Sequence, residues 1–151
     1  PKSESVDIII VQDTLHHLEP IDQAMTIFQD VLKDKGMMIC IEENGNNLIQ
    51  NLKLYKQRGN NRVITFWDEK LQRNITMGNE NIRGIELWEK LFNKASFLIQ
   101  ANLTEYIRLL PPMFYKNKQA AELAIKEKQL GNTFLHKYFY FGINFTAVKK
   151  K

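Results

Sequence analysis

The pattern of hydrophobic and polar positions changes abruptly near the start of the chain. Residues 6–11 read VDIIIV, a β-branched apolar run that predicts a strand buried on both faces in a parallel sheet. The polar stretch from Gln12 to His17 follows directly. Because the carboxyl ends of parallel strands face a ligand crevice, we expect a functional site in this loop.

A helix and a second strand follow this loop. Residues 20–35 place apolar side chains on one helical face and end at Gly36, which predicts a helix that begins at Pro20. Residues 37–41, MMICI, form a second short apolar run that ends in EENGNN. A strand, a helix and a strand in this order predict a right-handed crossover, which would bring residues 12–17 and 42–44 to the same edge of the sheet.

The rest of the chain predicts shorter elements. A helix at 48–59 and a hairpin that pairs 62–67 with 71–77 indicate an inserted flap over residues 46–81. We further expect a helix at 84–95, a strand at 97–101, a break at LLPPMFY, a helix at 117–130 ended by Gly131, and a last strand at GINFTAV. The sequence therefore predicts an α/β fold.

Composition narrows the class of protein. A length of 151 residues with 44% hydrophobic and 25% charged residues suits one domain with a real core. The net charge of +4 comes from scattered lysines without a basic stripe, which argues against a nucleic-acid partner. The single cysteine, Cys40, favours a reducing compartment, and no stretch approaches the roughly 20 apolar residues of a membrane span. We expect a cytoplasmic protein that has no membrane partner.

Several segments together resemble a known family. The stretch SVDIIIVQDTLHHLEPIDQAMTIFQDVLKDKGMMICIEEN is similar to the fourth strand, loop, helix and fifth strand of class I S-adenosylmethionine-dependent methyltransferases. LKDKG stands where that family commonly has Leu-Lys-Pro-Gly-Gly, ELWEKLFNKASF resembles the later helix with its Ala-Gly-Phe turn, and FGINFTAVKK resembles the closing strand. Asp34 and Lys35 replace the Pro-Gly of the first turn, and Ser96 replaces the Gly of the second.

The resemblance implies an incomplete fold. The family holds its cofactor with a Gly-rich loop after the first strand, whereas no two of the seven glycines here lie within two residues of each other. We therefore expect residues 1–151 to form the C-terminal half of a Rossmann-like doubly wound sheet, a partial methyltransferase domain with an inserted helix and β-hairpin. Strand 6–11 would then pair with the N-terminal half of the same fold or with a second copy of the chain.

The resemblance also implies roles for the loop residues. Gln12, Asp13, Thr14 and Leu15 would line the cofactor, S-adenosyl-L-methionine, although a polar loop after a strand also serves as a simple turn. His16 and His17 would face the substrate as a base or hydrogen-bonding group. Alternatively, one histidine orients the loop and the other lies in solvent.

Candidate acceptor-binding residues lie further along the chain. They are Glu43, Asn44, Tyr55 and Trp67. The alternatives are that the acidic residues are solvated and that the aromatic residues pack the insertion onto the sheet. The histidines and Cys40 lack the spacing of metal ligands, so we expect no metal site.

The function implied by the resemblance is methyl transfer from S-adenosylmethionine to an oxygen, nitrogen or carbon atom of a small-molecule acceptor. The chain alone would lack half of the cofactor site and would be inactive. Two alternatives stay open, namely a non-catalytic methyltransferase-like interaction subunit and an unrelated doubly wound enzyme.

Overall fold

A computed structural model describes residues 2–115, 119–130 and 134–150. The strands are β1 (Val6–Gln12), β2 (Leu32–Glu43), β3 (Val63–Asp68), β4 (Arg73–Gly78), β5 (Phe97–Ile99), β6 (Glu105–Ile107) and β7 (Gly142–Lys149). The helices are α1 (Ile21–Val31), α2 (Leu48–Arg58), α3 (Ile85–Lys94), α4 (Gln119–Gln129) and α5 (His136–Phe139), with single 3-10 turns at Leu15–His17, Ala101–Leu103 and Pro112–Tyr115. Asn117 and Gly131, which bound the helix predicted at 117–130, lie outside the described residues.

The main sheet is mixed, and its strand order is β1-β2-β7-β5, with β6 also paired to β7. β1 and β2 run parallel, with Ile9 opposite Met38 and Val11 opposite Cys40, as the predicted crossover requires. β7 runs antiparallel to β2, β5 and β6. The mixed sheet and the separate hairpin confirm the predicted α/β fold class. Two short elements, β6 and α5, were not predicted, since runs of three or four residues carry too little periodicity.

One face of this sheet, the covered face, packs against helices α1 and α3. Alternate residues of β1, β2 and β7 meet side chains of both helices in one buried cluster. Four aromatic rings form its centre, with centroid separations from 5.4 to 6.3 Å. They belong to Trp88, Phe92, Phe97 and Phe145. This cluster fixes the strands that carry the loops described below.

The opposite face of the sheet, the open face, shows that the predicted burial of β1 was wrong. β1 was expected to be buried on both faces, but Ile8 is 48% exposed and Ile10 is 69% exposed. Both point away from the covered face, because side chains alternate along a strand. α1 and α3 both lie on the other side, and within the described residues the buried cluster includes neither isoleucine.

The end of the first helix corrects a second prediction. α1 ends at Val31 and not at Lys35, because Leu32 already has extended backbone and pairs with Val6 of β1. Leu32 is fully buried, so core packing favours the strand over another helical turn. Lys35 has a positive φ of 61°, and the β1–β2 register breaks between Val6 and Ile8.

The predicted insertion contains the expected helix and hairpin. Asn47 caps α2 by accepting a hydrogen bond from the Gln50 amide at 2.8 Å. β3 and β4 form a two-stranded sheet of their own. The end of β4 reaches the main domain through a bridge between Leu18 and Met77. The insertion therefore contacts the loop that follows β1.

Candidate functional site

A buried carboxylate organises the loop after β1. Glu42, near the end of β2, is 1% exposed. Its Oε1 accepts hydrogen bonds from the backbone amides of Thr14 at 2.9 Å and Leu15 at 2.7 Å. Its Oε2 lies 2.7 Å from Nδ1 of His16. Because three donors converge on one side chain, this contact fixes the shape of the loop, including its 3-10 turn at Leu15–His17.

The same contact sets the charge of His16, which is 3% exposed. Burial alone lowers the pKa of the imidazole, but the hydrogen bond and negative charge of Glu42 raise it by more, with smaller contributions from Glu43 and Glu80. The net result is a pKa above the usual 6.5. His16 is thus a buried group whose charged form is favoured by its neighbours.

His17 is placed differently from its neighbour. Its side chain is 37% exposed, and its ring lies 4.1 Å from the His16 ring between centroids. Its Nδ1 lies 3.2 Å from the carbonyl oxygen of Gly78 at the end of β4. The insertion therefore orients this histidine, and the accessible one of the pair is His17.

Asp13 connects the loop to a second polar region. Its backbone has a positive φ of 44°, and its Oδ1 lies 3.3 Å from Nη2 of Arg108. The same Nη2 lies 3.4 Å from the carbonyl oxygen of Glu42. Gly142 gives the guanidinium room, because a Cβ there would lie 2.5 Å from Arg108 Nε.

Beyond Arg108 lies a cavity of about 580 Å³. Its lining includes Arg108, Glu127, Tyr140 and Asn144. Within the described part of the chain, Arg108 Nε, the Tyr140 hydroxyl and Asn144 Oδ1 are buried without a hydrogen-bond partner. Buried polar atoms normally have partners, so these three atoms are exceptions in this part of the fold.

The four residues predicted to line the cofactor form one continuous edge, but they differ in exposure. Gln12 and Thr14 are exposed, and Asp13 is half-buried. Leu15 is fully buried in the core cluster, so its side chain anchors the loop to the core. Contact of these residues with a cofactor stays a prediction.

The residues predicted to bind the acceptor come from different elements: Glu43 ends β2, Asn44 follows it, and Tyr55 and Trp67 lie on α2 and β3. Asn44 is fully buried and donates hydrogen bonds to the carbonyl oxygens of Lys137 and Tyr140. Glu43 is half-buried, and burial raises the pKa of its carboxyl, opposed by the charge of His16. Tyr55 and Trp67 are 60% and 55% exposed, so they do not pack the insertion onto the sheet.

Several residues of this region were missed by the sequence analysis. Arg108 and Tyr140 follow segments without a recognisable motif, and only the fold brings them to the end of β1. Glu80 lies in the GNEN segment after β4, close to both histidines. The only signal for Glu80 in the sequence is that an acidic residue stands among Gly and Asn residues directly after a predicted strand.

Comparison with known proteins identifies the fold. Neither a protein-family model nor a curated protein sequence matches the chain. One similar structure is an S-adenosylmethionine-dependent methyltransferase from Methanosarcina mazei. The match covers 99% of this chain and 61% of the Methanosarcina chain, with 16% identity and a TM-score of 0.56. A second is phosphoethanolamine N-methyltransferase 2 of Haemonchus contortus, in complex with S-adenosyl-L-methionine. This match covers 99% of this chain and 34% of the Haemonchus chain, with 15% identity and a TM-score of 0.54.

A third match comes from a Haloferax volcanii complex that contains the Trm112 methyltransferase activator. It covers 99% of this chain and 56% of the matched chain, with 13% identity and a TM-score of 0.51. The chain therefore has part of the Rossmann-like fold of S-adenosylmethionine-dependent methyltransferases, and it spans about three fifths of the Methanosarcina protein. No helix in the described ranges has the length and hydropathy needed to cross a membrane.

Proposed function

We propose that this chain is the C-terminal half of an S-adenosylmethionine-dependent methyltransferase domain that acts on a small-molecule acceptor. The main support is the position of the polar loop, which follows the first of two parallel strands and is held by Glu42 on the second. Ligands of doubly wound sheets bind at this end of the strands. The matched fold supports S-adenosyl-L-methionine as the proposed cofactor.

The cofactor would lie along residues 12–15. Since the amides of Thr14 and Leu15 already donate to Glu42, polar contacts with the cofactor would come from the side chains of Gln12, Asp13 and Thr14. Asp13 suits this role best, because its carboxylate also contacts Arg108 at the border of the cavity. The remaining contacts would come from the N-terminal half of the fold.

The acceptor would enter the cavity beside Arg108. A volume of about 580 Å³ lies within the usual range of small-molecule sites, roughly 300–1,000 Å³. Polar side chains of its lining, among them Arg108, Glu127 and Asn144, would orient a polar acceptor. Methyl transfer needs an in-line approach and exclusion of water, so this orientation would supply much of the catalysis.

His17 is the better candidate for a base, because its side chain is accessible whereas His16 is buried. His16 would position the loop through Glu42. Glu43 and Asn44 lie at the same edge of the sheet. Tyr55 and Trp67 lie on the insertion, which could close over the acceptor. A base is needed only if the acceptor must lose a proton.

The N-terminal half of the fold, or a second copy of this chain, would pair with β1. Within the described residues, β1 has a strand partner on one side only, namely β2. An unpaired strand edge next to exposed isoleucines is a template for another strand. The proposed site is therefore completed by residues outside this chain.

Two aspartates of the same strand region offer a matched test. In a polypeptide that joins this chain to the N-terminal half, Asp13→Ala should weaken S-adenosylmethionine binding by about tenfold, the equivalent of about 1.4 kcal/mol. Asp7→Ala, at the amino end of β1, should leave the affinity unchanged, because Asp7 is exposed and pairs with Lys33 far from the loop. Isothermal titration calorimetry measures both.

Equal affinity of the two variants would contradict the placement of the cofactor along residues 12–15. A folded two-half polypeptide that does not bind S-adenosylmethionine would contradict the enzymatic function and support a non-catalytic interaction subunit.

A further inference from the structure

Three side chains of metal-binding type meet beside the loop, although they come from distant parts of the sequence. His16 Nε2 lies 3.9 Å from Glu80 Oε2, and His17 Nε2 lies 3.9 Å from Glu80 Oε1. One ligand atom from each of the three residues lies within 4.8 Å of the other two. The two nitrogens therefore face the same carboxylate.

The other ring nitrogen of each histidine is already engaged. Nδ1 of His16 lies 2.7 Å from Oε2 of Glu42, and Nδ1 of His17 lies 3.2 Å from the carbonyl oxygen of Gly78. A carbonyl oxygen only accepts, so Nδ1 of His17 carries a proton, and in the neutral ring Nε2 is then the nitrogen with the lone pair. Metal-binding histidines in proteins nearly always have this arrangement, with the second nitrogen donating to a carboxylate or a backbone carbonyl.

The segment that carries Glu80 is anchored on both sides. Gly78 approaches the loop so closely that a Cβ there would lie 2.0 Å from the carbonyl oxygen of His16. Asn81 donates its backbone amide to the same oxygen at 3.2 Å and its side-chain amide to Glu19 at 2.7 Å. Glu80 itself has a positive φ of 53°, an uncommon conformation for a residue other than glycine. Its carboxylate is thus held near the histidines by the backbone.

The separations suit a bridging ion better than direct contact. A distance of 3.9 Å is too long for a hydrogen bond. At the near-tetrahedral angle that zinc prefers, a nitrogen and an oxygen that are each about 2.0–2.2 Å from the ion lie roughly 3.4 Å apart, so each 3.9 Å separation has to shorten by about 0.5 Å. Glu80 has a 41% exposed side chain, so it can make the small rotation that closes the geometry.

We propose that His16, His17 and Glu80 bind one divalent transition-metal ion of the zinc type. Two imidazoles and one carboxylate favour such ions over Mg²⁺ and Ca²⁺, which prefer oxygen ligands. Three protein ligands leave a further position for water or an acceptor oxygen. This departs from the sequence-based expectation of no metal, which considered spacing along the chain only.

The inference is independent of the proposed methyl transfer, because it rests only on the geometry of these residues. A bound ion would displace the Nε2 proton of the charged His16, and at His17 it would use the same nitrogen lone pair that a histidine base needs. The metal measurement therefore also distinguishes the two roles of His17.

Titration of the untagged, chelator-treated 151-residue chain with Co²⁺ tests the proposal, since bound Co²⁺ absorbs visible light according to its ligands. We expect one ion per chain, displaced by Zn²⁺ and not by Mg²⁺. Glu80→Gln and His17→Ala should each weaken binding by at least about tenfold. Glu89→Gln, an exposed residue of α3, is the matched control and should bind like the unaltered chain.

Circular dichroism spectra of the variants show whether each is folded, and the Glu80 variant keeps the buried contacts of His16 intact. The absence of stoichiometric Co²⁺ binding by the folded, unaltered chain would overturn the proposal. Equal affinity of the Glu80→Gln and Glu89→Gln variants would overturn it as well.

Discussion

The two faces of the main sheet differ in how far this chain completes them. On the covered face, Trp88, Phe92 and Phe145 are buried between the sheet and its two helices, and each of these side chains is at most 1% exposed. The open face leaves Ile8, Ile10 and Leu98 about half exposed or more. Strands with β-branched residues on both faces are typical of sheets that are covered on both sides. The contrast supports the proposal that another part of the fold covers the open face.

The largest expected effect concerns the covered face. Phe92 contacts three other aromatic rings of the core. Phe92→Ala should lower the free energy of unfolding by about 3–5 kcal/mol, through lost burial and a residual cavity. Urea denaturation followed by circular dichroism measures this loss.

Ile10→Ala on the open face is the matched control. It should cost less than about 1 kcal/mol in the same chain, because the side chain is already largely exposed. Similar losses for both variants would mean that the open face is packed in solution.

The next effect concerns the edge where the covered face meets the loop. His16→Ala should cost about 1–3 kcal/mol, because Glu42 then stays buried without one of its partners. His17→Ala should change the melting temperature little, because its ring is partly exposed. Thermal melting curves of the two variants give the comparison. A larger loss of melting temperature for His17→Ala than for His16→Ala would contradict the structural role of His16.

A smaller effect on folding, but a clear effect on association, is expected at the open face. Replacing both Ile8 and Ile10 by Asp should change the stability of the isolated chain by no more than about 1 kcal/mol in total. It should also abolish any concentration-dependent self-association through the β1 edge, since inward-pointing charge opposes strand addition. Sedimentation velocity of both forms measures this. Self-association that persists unchanged in the variant would exclude β1 as the contact.

The smallest effect concerns the outer side of α3. Burial raises the pKa of the Glu86 carboxyl, but hydrogen bonds from Lys137 and Asn46, together with the positive charge of Lys137, lower it to about 2. The stabilisation that the ionised Glu86 carboxylate contributes is therefore complete at pH values above its usual pKa of 4.5, and it is lost as the pH falls toward 2. Because the pair is exposed, Glu86→Gln should cost less than about 1 kcal/mol at pH 7 and still less at pH 3.

Urea denaturation at both pH values measures the Glu86 effect, with Glu89→Gln on the same helix as the control. A cost of Glu86→Gln that is larger at pH 3 than at pH 7 would contradict the lowered pKa.

The fold was more predictable from the sequence than the site. Apolar runs such as MMICI and the one-sided pattern of residues 85–94 fix strands and helices locally. The position of the loop after β1, at the end of a parallel strand, was also predictable, whereas its function stays a prediction. Its internal contacts were not predictable, since Glu42, Glu80 and Arg108 approach it only through tertiary packing. The exposure of Ile10 was missed because a sequence pattern does not say how much of a fold is present.

The central claim is that this chain supplies one half of a cofactor site. Isothermal titration calorimetry of the 151-residue chain with S-adenosylmethionine tests it most directly, beside a polypeptide that also contains the N-terminal half. We expect micromolar affinity for the two halves together and no measurable binding by the chain alone. A micromolar dissociation constant for the chain alone, equivalent to about 8 kcal/mol of binding free energy, would contradict the claim.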